Sequence, residues 1–110
     1  MTLSTHVLDT SKGTPAAGVA FRLLQGGAVL FEGETDADGR CPALRGVSLG
    51  IGRYRLEFSV AEYFRNGGVK LPDPPFLDVI SIDFGIGDTE AHYHVPLLLS
   101  PYGYSTYRGS

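Results

Sequence analysis

Glycine and proline divide this chain into short segments, and most of those segments alternate apolar with polar side chains. The 110 residues include 15 glycines and 7 prolines. A period of two places alternate side chains on opposite faces of an extended strand, so that one face can pack against a core while the other meets solvent. The chain is therefore expected to be an all-β protein built from short strands.

The alternating segments predict a two-sheet β-sandwich of about eight strands with one short helix. The helix is predicted at residues 61–66, where Gly67 and Gly68 end it. Residues 71–75 include three prolines and are expected to form an extended linker, because proline cannot donate a hydrogen bond within a sheet. A chain of this length is expected to form a single domain, residues 1–110. The clearest strands are predicted at residues 3–8, 19–24, 28–34, 52–60, 77–84, 90–99 and 102–107.

Composition and charge exclude several classes of protein. The net charge is −3 and the 9 Lys and Arg residues are scattered, so no basic face is available for a nucleic acid. The longest apolar run, residues 95–99, is too short to span a bilayer. Cys41 is the only cysteine, so no disulfide can form within the chain, and the N-terminus shows no basic region followed by an apolar stretch. We therefore expect a cytoplasmic protein that binds neither nucleic acids nor membranes.

The chain has three histidines, His6, His92 and His94, and histidine is the side chain that most often transfers protons at neutral pH. His92 and His94 are two residues apart on a predicted strand, so both should leave the same face. His6 lies near the middle of the first strand. Taken alone, each histidine is compatible with an ordinary surface or hydrogen-bonded role. Three imidazoles could also bind Zn²⁺ and leave one position open for water.

An arginine and an unusually patterned C-terminus add to the polar candidates. Arg40 follows the predicted turn at residues 36–39, and its forked guanidinium suits an anionic or carbonyl-rich planar ligand. Cys41 beside it is expected to be a small packed residue. Residues 100–110 are dense in tyrosine and hydroxyl side chains, whereas chain ends are commonly frayed. Composition leaves open whether this end is a polar C-terminal strand or part of a site.

Three blocks of the sequence resemble the motifs of the 5-hydroxyisourate hydrolases, the purine-degrading relatives of transthyretin. They are LSTHVLDT at residues 3–10, TDADGR at residues 35–40 and HYHVPLLLSPYGYSTYRGS at residues 92–110. The resemblance extends over the whole chain, and no motif position departs from it. The ending YRGS at residues 107–110 is the most specific part, because it separates these enzymes from transthyretin, a hormone carrier with the same fold.

The resemblance implies the fold, the reaction and the site. The fold would be transthyretin-like, also called prealbumin-like. The enzyme would hydrolyse the small molecule 5-hydroxyisourate to 2-oxo-4-hydroxy-4-carboxy-5-ureidoimidazoline in urate degradation, with water as the nucleophile and with no cofactor or metal. The residues implied in catalysis are His6, Arg40, His94 and Ser110. The residues implied in substrate binding are these four together with Tyr107, Arg108 and Gly109.

Within that site, His6 and His94 would position and deprotonate the water while Arg40 would bind and polarise the substrate. Which histidine is the base stays open, as does whether Ser110 acts through its hydroxyl or its terminal carboxylate. His92 is expected to support the site or to be structural. The resemblance also implies a homotetramer, a dimer of dimers with its sites in clefts between the dimers. The alternatives are a zinc hydrolase that uses all three histidines and a non-catalytic ligand carrier.

Overall fold

Two four-stranded β-sheets form the framework of the chain in a computed structural model, which describes residues 2–110. In chain order the elements are β1 (Thr2–Asp9), β2 (Thr14–Pro15), β3 (Ala20–Gln25), β4 (Ala28–Glu34), a 3₁₀ helix (Pro42–Gly46), β5 (Gly52–Ser59), α1 (Val60–Asn66), β6 (Val79–Ile86), β7 (His92–Ser100) and β8 (Gly103–Thr106). The strand order is β2-β1-β7-β8 in one sheet and β4-β3-β5-β6 in the other.

The predicted two-sheet sandwich with one short α-helix is confirmed, and the differences from the prediction are local. β2 is only two residues long and lies in a segment rich in turn residues, so it had no recognisable strand pattern. The 3₁₀ helix was not predicted either, because five residues are too few to show a helical period. Cys41 is half-buried and packs against the core, as expected. No helix within residues 2–110 is long and apolar enough to cross a membrane.

The parallel pairing of β1 with β7 positions the polar side chains of the first sheet. The register sets Ser4 opposite His94 and His6 opposite Pro96. Leu3 is fully buried between the two sheets, and alternate residues of a strand point to opposite faces. The outer face of this sheet therefore carries histidines that come from the two ends of the chain.

A buried carboxylate attaches α1 to β1. Asp9 is fully buried at the end of β1, and the Tyr63 hydroxyl of α1 donates a hydrogen bond to it at 2.7 Å. Burial acts to raise the pKa of Asp9, but hydrogen bonds from Ser11 and Tyr63 outweigh it and hold the pKa below its usual value. Burial and the bond to Asp9 raise the pKa of Tyr63 to about 12. The pair stays an ionised carboxylate bound by a neutral phenol at neutral pH.

The turn before the 3₁₀ helix docks against β1 at a glycine. A hydrogen bond from the Asp36 amide to the Arg40 carbonyl closes the turn at 2.7 Å, and the Val7 amide donates to the Gly39 carbonyl at 2.8 Å. Gly39 has a φ of +75°, and a Cβ there would overlap the carbonyl oxygen of Val7. Only glycine meets both constraints without strain. The close approach places Arg40 in an isolated antiparallel bridge with His6.

Replacing Gly39 with alanine should destabilise the protein more than an ordinary glycine replacement does. Gly18 is the matched control, because its φ is +78° but a Cβ there would meet no atom within 4 Å. The left-handed conformation costs alanine about 1–2 kcal/mol at either position, and the overlap with Val7 should add about 1–3 kcal/mol in Gly39→Ala. Urea unfolding at one protein concentration measures both free energies of unfolding. Equal losses in the two variants would contradict the close approach.

Candidate active site

A buried serine hydroxyl connects the two histidines of β7. Ser4 of β1 is 7% exposed, and its Oγ lies 2.7 Å from His94 Nδ1 and 3.0 Å from His92 Nε2. The two imidazole rings are stacked, with centroids 6.4 Å apart and an interplanar angle of 16°, which confirms that both leave one face of the strand. Because Ser4 holds Nδ1 of His94, the Nε2 atom is the ring nitrogen that a ligand can use.

The surroundings of His94 favour its neutral form. Burial lowers the pKa of His94 below the ordinary value of 6.5, and the positive charge of Arg40 and the neighbouring His92 and His6 lower it further. A hydrogen bond with the backbone of Ser4 acts in the opposite direction and raises the pKa of His94, without outweighing these effects. At neutral pH His94 therefore offers an unprotonated nitrogen, which is the form that a general base requires.

The Arg40 guanidinium has no acidic partner in the described part of the chain. Its side chain is exposed, whereas its backbone is fixed by an amide that donates to the Asp36 carboxylate at 3.1 Å. The ion pairs of residues 2–110 lie on the other sheet, between Arg22 and Glu57 and between Arg55 and Asp83. An arginine whose backbone is fixed and whose guanidinium has no acidic partner can bind carbonyl or anionic oxygens of a ligand.

The C-terminal residues continue β8 alongside β7 after one interruption. β8 pairs with β7 in a register that sets Thr106 opposite Leu97, and Gly109 lies opposite His94 in that same register. The interruption falls at Pro96, which has no amide hydrogen to donate across the sheet. Beside this gap in the backbone ladder, the Thr106 hydroxyl donates a hydrogen bond to the Pro96 carbonyl at 2.7 Å. The ladder resumes where the Gly109 amide donates to the His94 carbonyl at 2.8 Å.

Gly109 passes close over the His94 imidazole. A Cβ at position 109 would overlap Cδ2 of His94 and would lie 3.3 Å from Cγ of Pro96. Glycine is therefore needed here for space, since its φ is not positive. Tyr107 and Ser110, on either side of this contact, are both exposed. The end of the chain thus lies against His94, with Ser110 one residue beyond the contact.

Arg108 packs against a core-facing residue of β7. Its guanidinium carbon lies 4.3 Å from the centroid of the Tyr93 ring, and its Nη2 donates to the His92 carbonyl at 3.4 Å. The contact between a cation and an aromatic face is attractive, so these interactions hold the tail, residues 107–110, on β7. In this chain the Arg108 guanidinium is engaged with Tyr93 and the backbone.

A cavity of about 320 Å³ opens beside His94, between β6 and the tail. Its lining includes Tyr93, His94, Thr106, Tyr107 and Arg108 but neither His6 nor Arg40. A larger cavity of about 730 Å³ lies on the other sheet and is lined by no histidine. Because His6 and Arg40 do not line the smaller cavity, the imidazoles point to the outer face of the first sheet as the candidate site.

The three histidines are not arranged as a metal site. Both ring nitrogens of His92 already meet hydroxyl groups, Nε2 that of Ser4 and Nδ1 that of Thr2. Within residues 2–110, no group of three or more His, Cys, Asp or Glu side chains is placed to hold a metal ion. The donor geometry therefore does not fit the zinc-hydrolase alternative, which requires His92 as a third ligand.

The structure brings most of the residues singled out by the sequence to one place. Backbone bridges join His6 to Arg40 and His94 to Gly109, and the charges of Arg40 and His6 act on His94. Three predicted site residues remain. Tyr107 and Ser110 lie next to the group formed by these bridges, while Arg108 contacts Tyr93. The sequence reasoning missed Ser4, although its position two residues before His6 places it on the same face of the strand.

Comparisons with known proteins agree over nearly the whole chain. The sequence profile of the HIUase/Transthyretin family matches residues 3–109. A 5-hydroxyisourate hydrolase of Caulobacter vibrioides is 51% identical over an alignment of 112 positions, which covers 98% of this chain and 97% of that protein. The structure of Klebsiella pneumoniae 5-hydroxyisourate hydrolase matches with a TM-score of 0.88 at 41% identity, covering 99% of this chain and 98% of that one. A crystal structure of (S)-allantoin synthase matches with a TM-score of 0.92 at 39% identity and covers 99% of this chain, which spans 43% of that longer chain.

The low pKa of His94 can be measured by NMR titration of the imidazole protons. We expect a midpoint below 6.5, because burial and the nearby positive charge disfavour the imidazolium. Arg40→Gln removes part of that charge, so the midpoint should rise while burial keeps it below 6.5. Arg53→Gln, an exposed arginine of the other sheet, is the control that should leave it unchanged. A His94 midpoint that does not respond to Arg40→Gln would show that the guanidinium is not near the ring.

Proposed function

This chain belongs to the HIUase/Transthyretin family, and we propose that it hydrolyses 5-hydroxyisourate to 2-oxo-4-hydroxy-4-carboxy-5-ureidoimidazoline in urate degradation. The substrate is supported by the names of relatives that are similar over nearly the full chain. The observation that carries the mechanism is a neutral His94 imidazole with an accessible Nε2, next to an unpaired Arg40 guanidinium. Hydrolysis by these groups needs no cofactor.

His94 acts as the general base in this proposal. Its Nε2 accepts a proton as the oxygen of water attacks a ring carbonyl of the substrate, and a tetrahedral intermediate forms. The ring carbon–nitrogen bond then breaks, and the departing nitrogen takes up the proton. His6 lies on the neighbouring strand and holds the water for attack. Proton transfer by a positioned imidazole accelerates such a step by about 10²–10⁴-fold.

Arg40 has two effects on the same reaction. Its guanidinium binds substrate oxygens and offsets the negative charge that develops on the carbonyl oxygen of the intermediate. Its charge also keeps the pKa of His94 low, so the base is unprotonated when the substrate arrives. The exposed position of Arg40 and the absence of an acidic partner for it within residues 2–110 support both roles.

The tail closes one side of the site. Ser110 orients the substrate through its hydroxyl, and the chain places it one residue beyond the contact of Gly109 with His94. Tyr107 and His94 both line the smaller cavity, so Tyr107 lies beside His94 and contacts the substrate from that side. Arg108 contributes to substrate binding by holding the tail on β7 through Tyr93.

Residues 1–110 form one domain that acts in the cytoplasm as a homotetramer, a dimer of dimers. β6 and β8 are edge strands of the two sheets, and an unpaired edge is a template for a second copy. Exposed aromatic side chains on and beside β8, Tyr102, Tyr104 and Tyr107, support this surface as an interface. A copy placed over the outer face would also shield the exposed Arg40 from water.

Light scattering should give a mass of about four times 11.8 kDa, and a fully active monomer would contradict the assembly.

Alanine replacements test the assignment of the catalytic residues. His6→Ala, Arg40→Ala and His94→Ala should each lower kcat/KM by about 10²–10⁴-fold, because they remove the group that holds the water, the charge that stabilises the intermediate and the general base, respectively. The assay follows the ultraviolet decay of 5-hydroxyisourate, freshly made by oxidation of urate, with and without protein. Arg53→Gln is the control of similar charge change on the other sheet and should keep wild-type activity. Near-normal turnover in all three alanine variants would refute the site.

The contact between the tail and His94 can be tested by adding a single methyl group. Gly109→Ala should lower kcat/KM by about 10- to 100-fold, because the new Cβ displaces either the imidazole or Ser110 by a fraction of an ångström or more. Gly103→Ala is the control, since its Cβ would lie 3.7 Å from Ser100 Oγ, an ordinary contact. If Gly109→Ala and Gly103→Ala are equally active, the tail takes no part in the site.

A further inference from the structure

Four side chains form a continuous hydrogen-bonded row along β1 and β7, which we call the Thr2–His94 row. The Thr2 hydroxyl meets Nδ1 of His92, and Nε2 of His92 lies 3.0 Å from Ser4 Oγ. Ser4 Oγ in turn lies 2.7 Å from Nδ1 of His94. His92 at the outer end is exposed, Ser4 is buried, and His94 is half-buried. The row therefore runs from solvent to the candidate base.

The single hydrogen of the Ser4 hydroxyl restricts the protons on the two rings. A neutral imidazole has one N–H and one accepting nitrogen, and His94 can act as a base through Nε2 only if Nδ1 carries its hydrogen. Nδ1 then donates to Ser4, and Ser4 can donate its own hydrogen to Nε2 of His92. His92 then donates its Nδ1–H to Thr2, so each of the three hydrogen bonds of the row has one donor and one acceptor.

The reverse arrangement would disable the base. If Ser4 donated to Nδ1 of His94, the hydrogen of His94 would be on Nε2, and that atom could not accept a proton from water. If both rings donated to Ser4, the Ser4 hydrogen would need another acceptor, and leaving a buried hydroxyl without one is costly. The productive arrangement thus requires an accepting nitrogen at Nε2 of His92.

We infer that His92 is a positioning residue for the proposed hydrolysis: acting through Ser4, it holds His94 in the tautomer whose unprotonated Nε2 faces the site. The inference rests on the proposed function for its catalytic meaning and on the Thr2–His94 row for its geometry. His92 thus affects the reaction without touching the substrate.

The tautomer can be observed directly by ¹⁵N NMR of the imidazole nitrogens at a pH where the rings are neutral. The chain has only three histidines, and their signals can be assigned from single-histidine variants. In the wild-type protein we expect His94 to show a protonated Nδ1 and an unprotonated Nε2. A wild-type His94 with its hydrogen on Nε2 would overturn the inference, whatever the activity of the protein.

Three variants separate positioning from a merely structural role. His92→Phe keeps a ring at an exposed position but removes the acceptor, so Ser4 should turn to His94 and shift its hydrogen to Nε2. Ser4→Ala removes the hydroxyl, so His94 should no longer be held with its hydrogen on Nδ1. Ser4→Thr keeps a hydroxyl at this position of the strand, so His94 should keep its hydrogen on Nδ1. We expect kcat to fall by about 10- to 100-fold in His92→Phe and Ser4→Ala with a smaller change in KM. Ser4→Thr should remain close to wild type.

The outcomes distinguish the inference from the proposed function. If His92→Phe lowers stability or kcat while the His94 tautomer stays unchanged, His92 is structural and the inference is wrong. If the wild-type protein fails to accelerate the decay of 5-hydroxyisourate, the proposed function is wrong, and this is seen before any variant is made. A joint change of tautomer and kcat in His92→Phe and Ser4→Ala, reversed in Ser4→Thr, supports the inference.

Discussion

The parallel pairing of β1 with β7 is the interaction on which the rest of the site depends. It brings Ser4 opposite His94, although these residues are 90 positions apart in the sequence. Leu3 and Leu97 on the inner face are fully buried, and a slip of one residue in either strand would expose them and turn the imidazoles inward. The hydrophobic core therefore determines the register, and the register determines which polar side chains meet on the outer face.

Two close backbone contacts at glycine add the remaining groups to this pair of strands. Gly39 docks the turn on β1 and delivers Arg40 next to His6, and Gly109 docks the tail on β7 over His94. Neither segment belongs to a regular strand, yet each is held by a hydrogen bond to the strand it meets. Irregular segments fixed on a rigid sheet give a site both precise geometry and an open face for a ligand.

Local patterns predicted the features that depend on local chemistry. Alternation placed His92 and His94 on one face, and their stacked rings confirm this. The strand that lies beside them could not be predicted in this way, because parallel pairing joins segments that are distant in sequence. The requirement for glycine at Gly39 depends on the carbonyl of Val7, which no local pattern contains. The turn and the guanidinium therefore made Arg40 only a candidate, and its role in the site came from the family resemblance. Ser4 was missed because a serine has no signal of its own until two imidazoles are seen on either side of it.

The central claim is that the end of the chain is held in the site by backbone pairing with β7. Native-state hydrogen exchange of the Gly109 amide tests it most directly, because this amide donates to the His94 carbonyl at 2.8 Å. After correction for intrinsic rates, we predict that Gly109 exchanges about tenfold or more slowly than Ser110, the residue that follows it. A Gly109 amide that exchanges as fast as that of Ser110 would show that the tail is free in solution and would contradict the account.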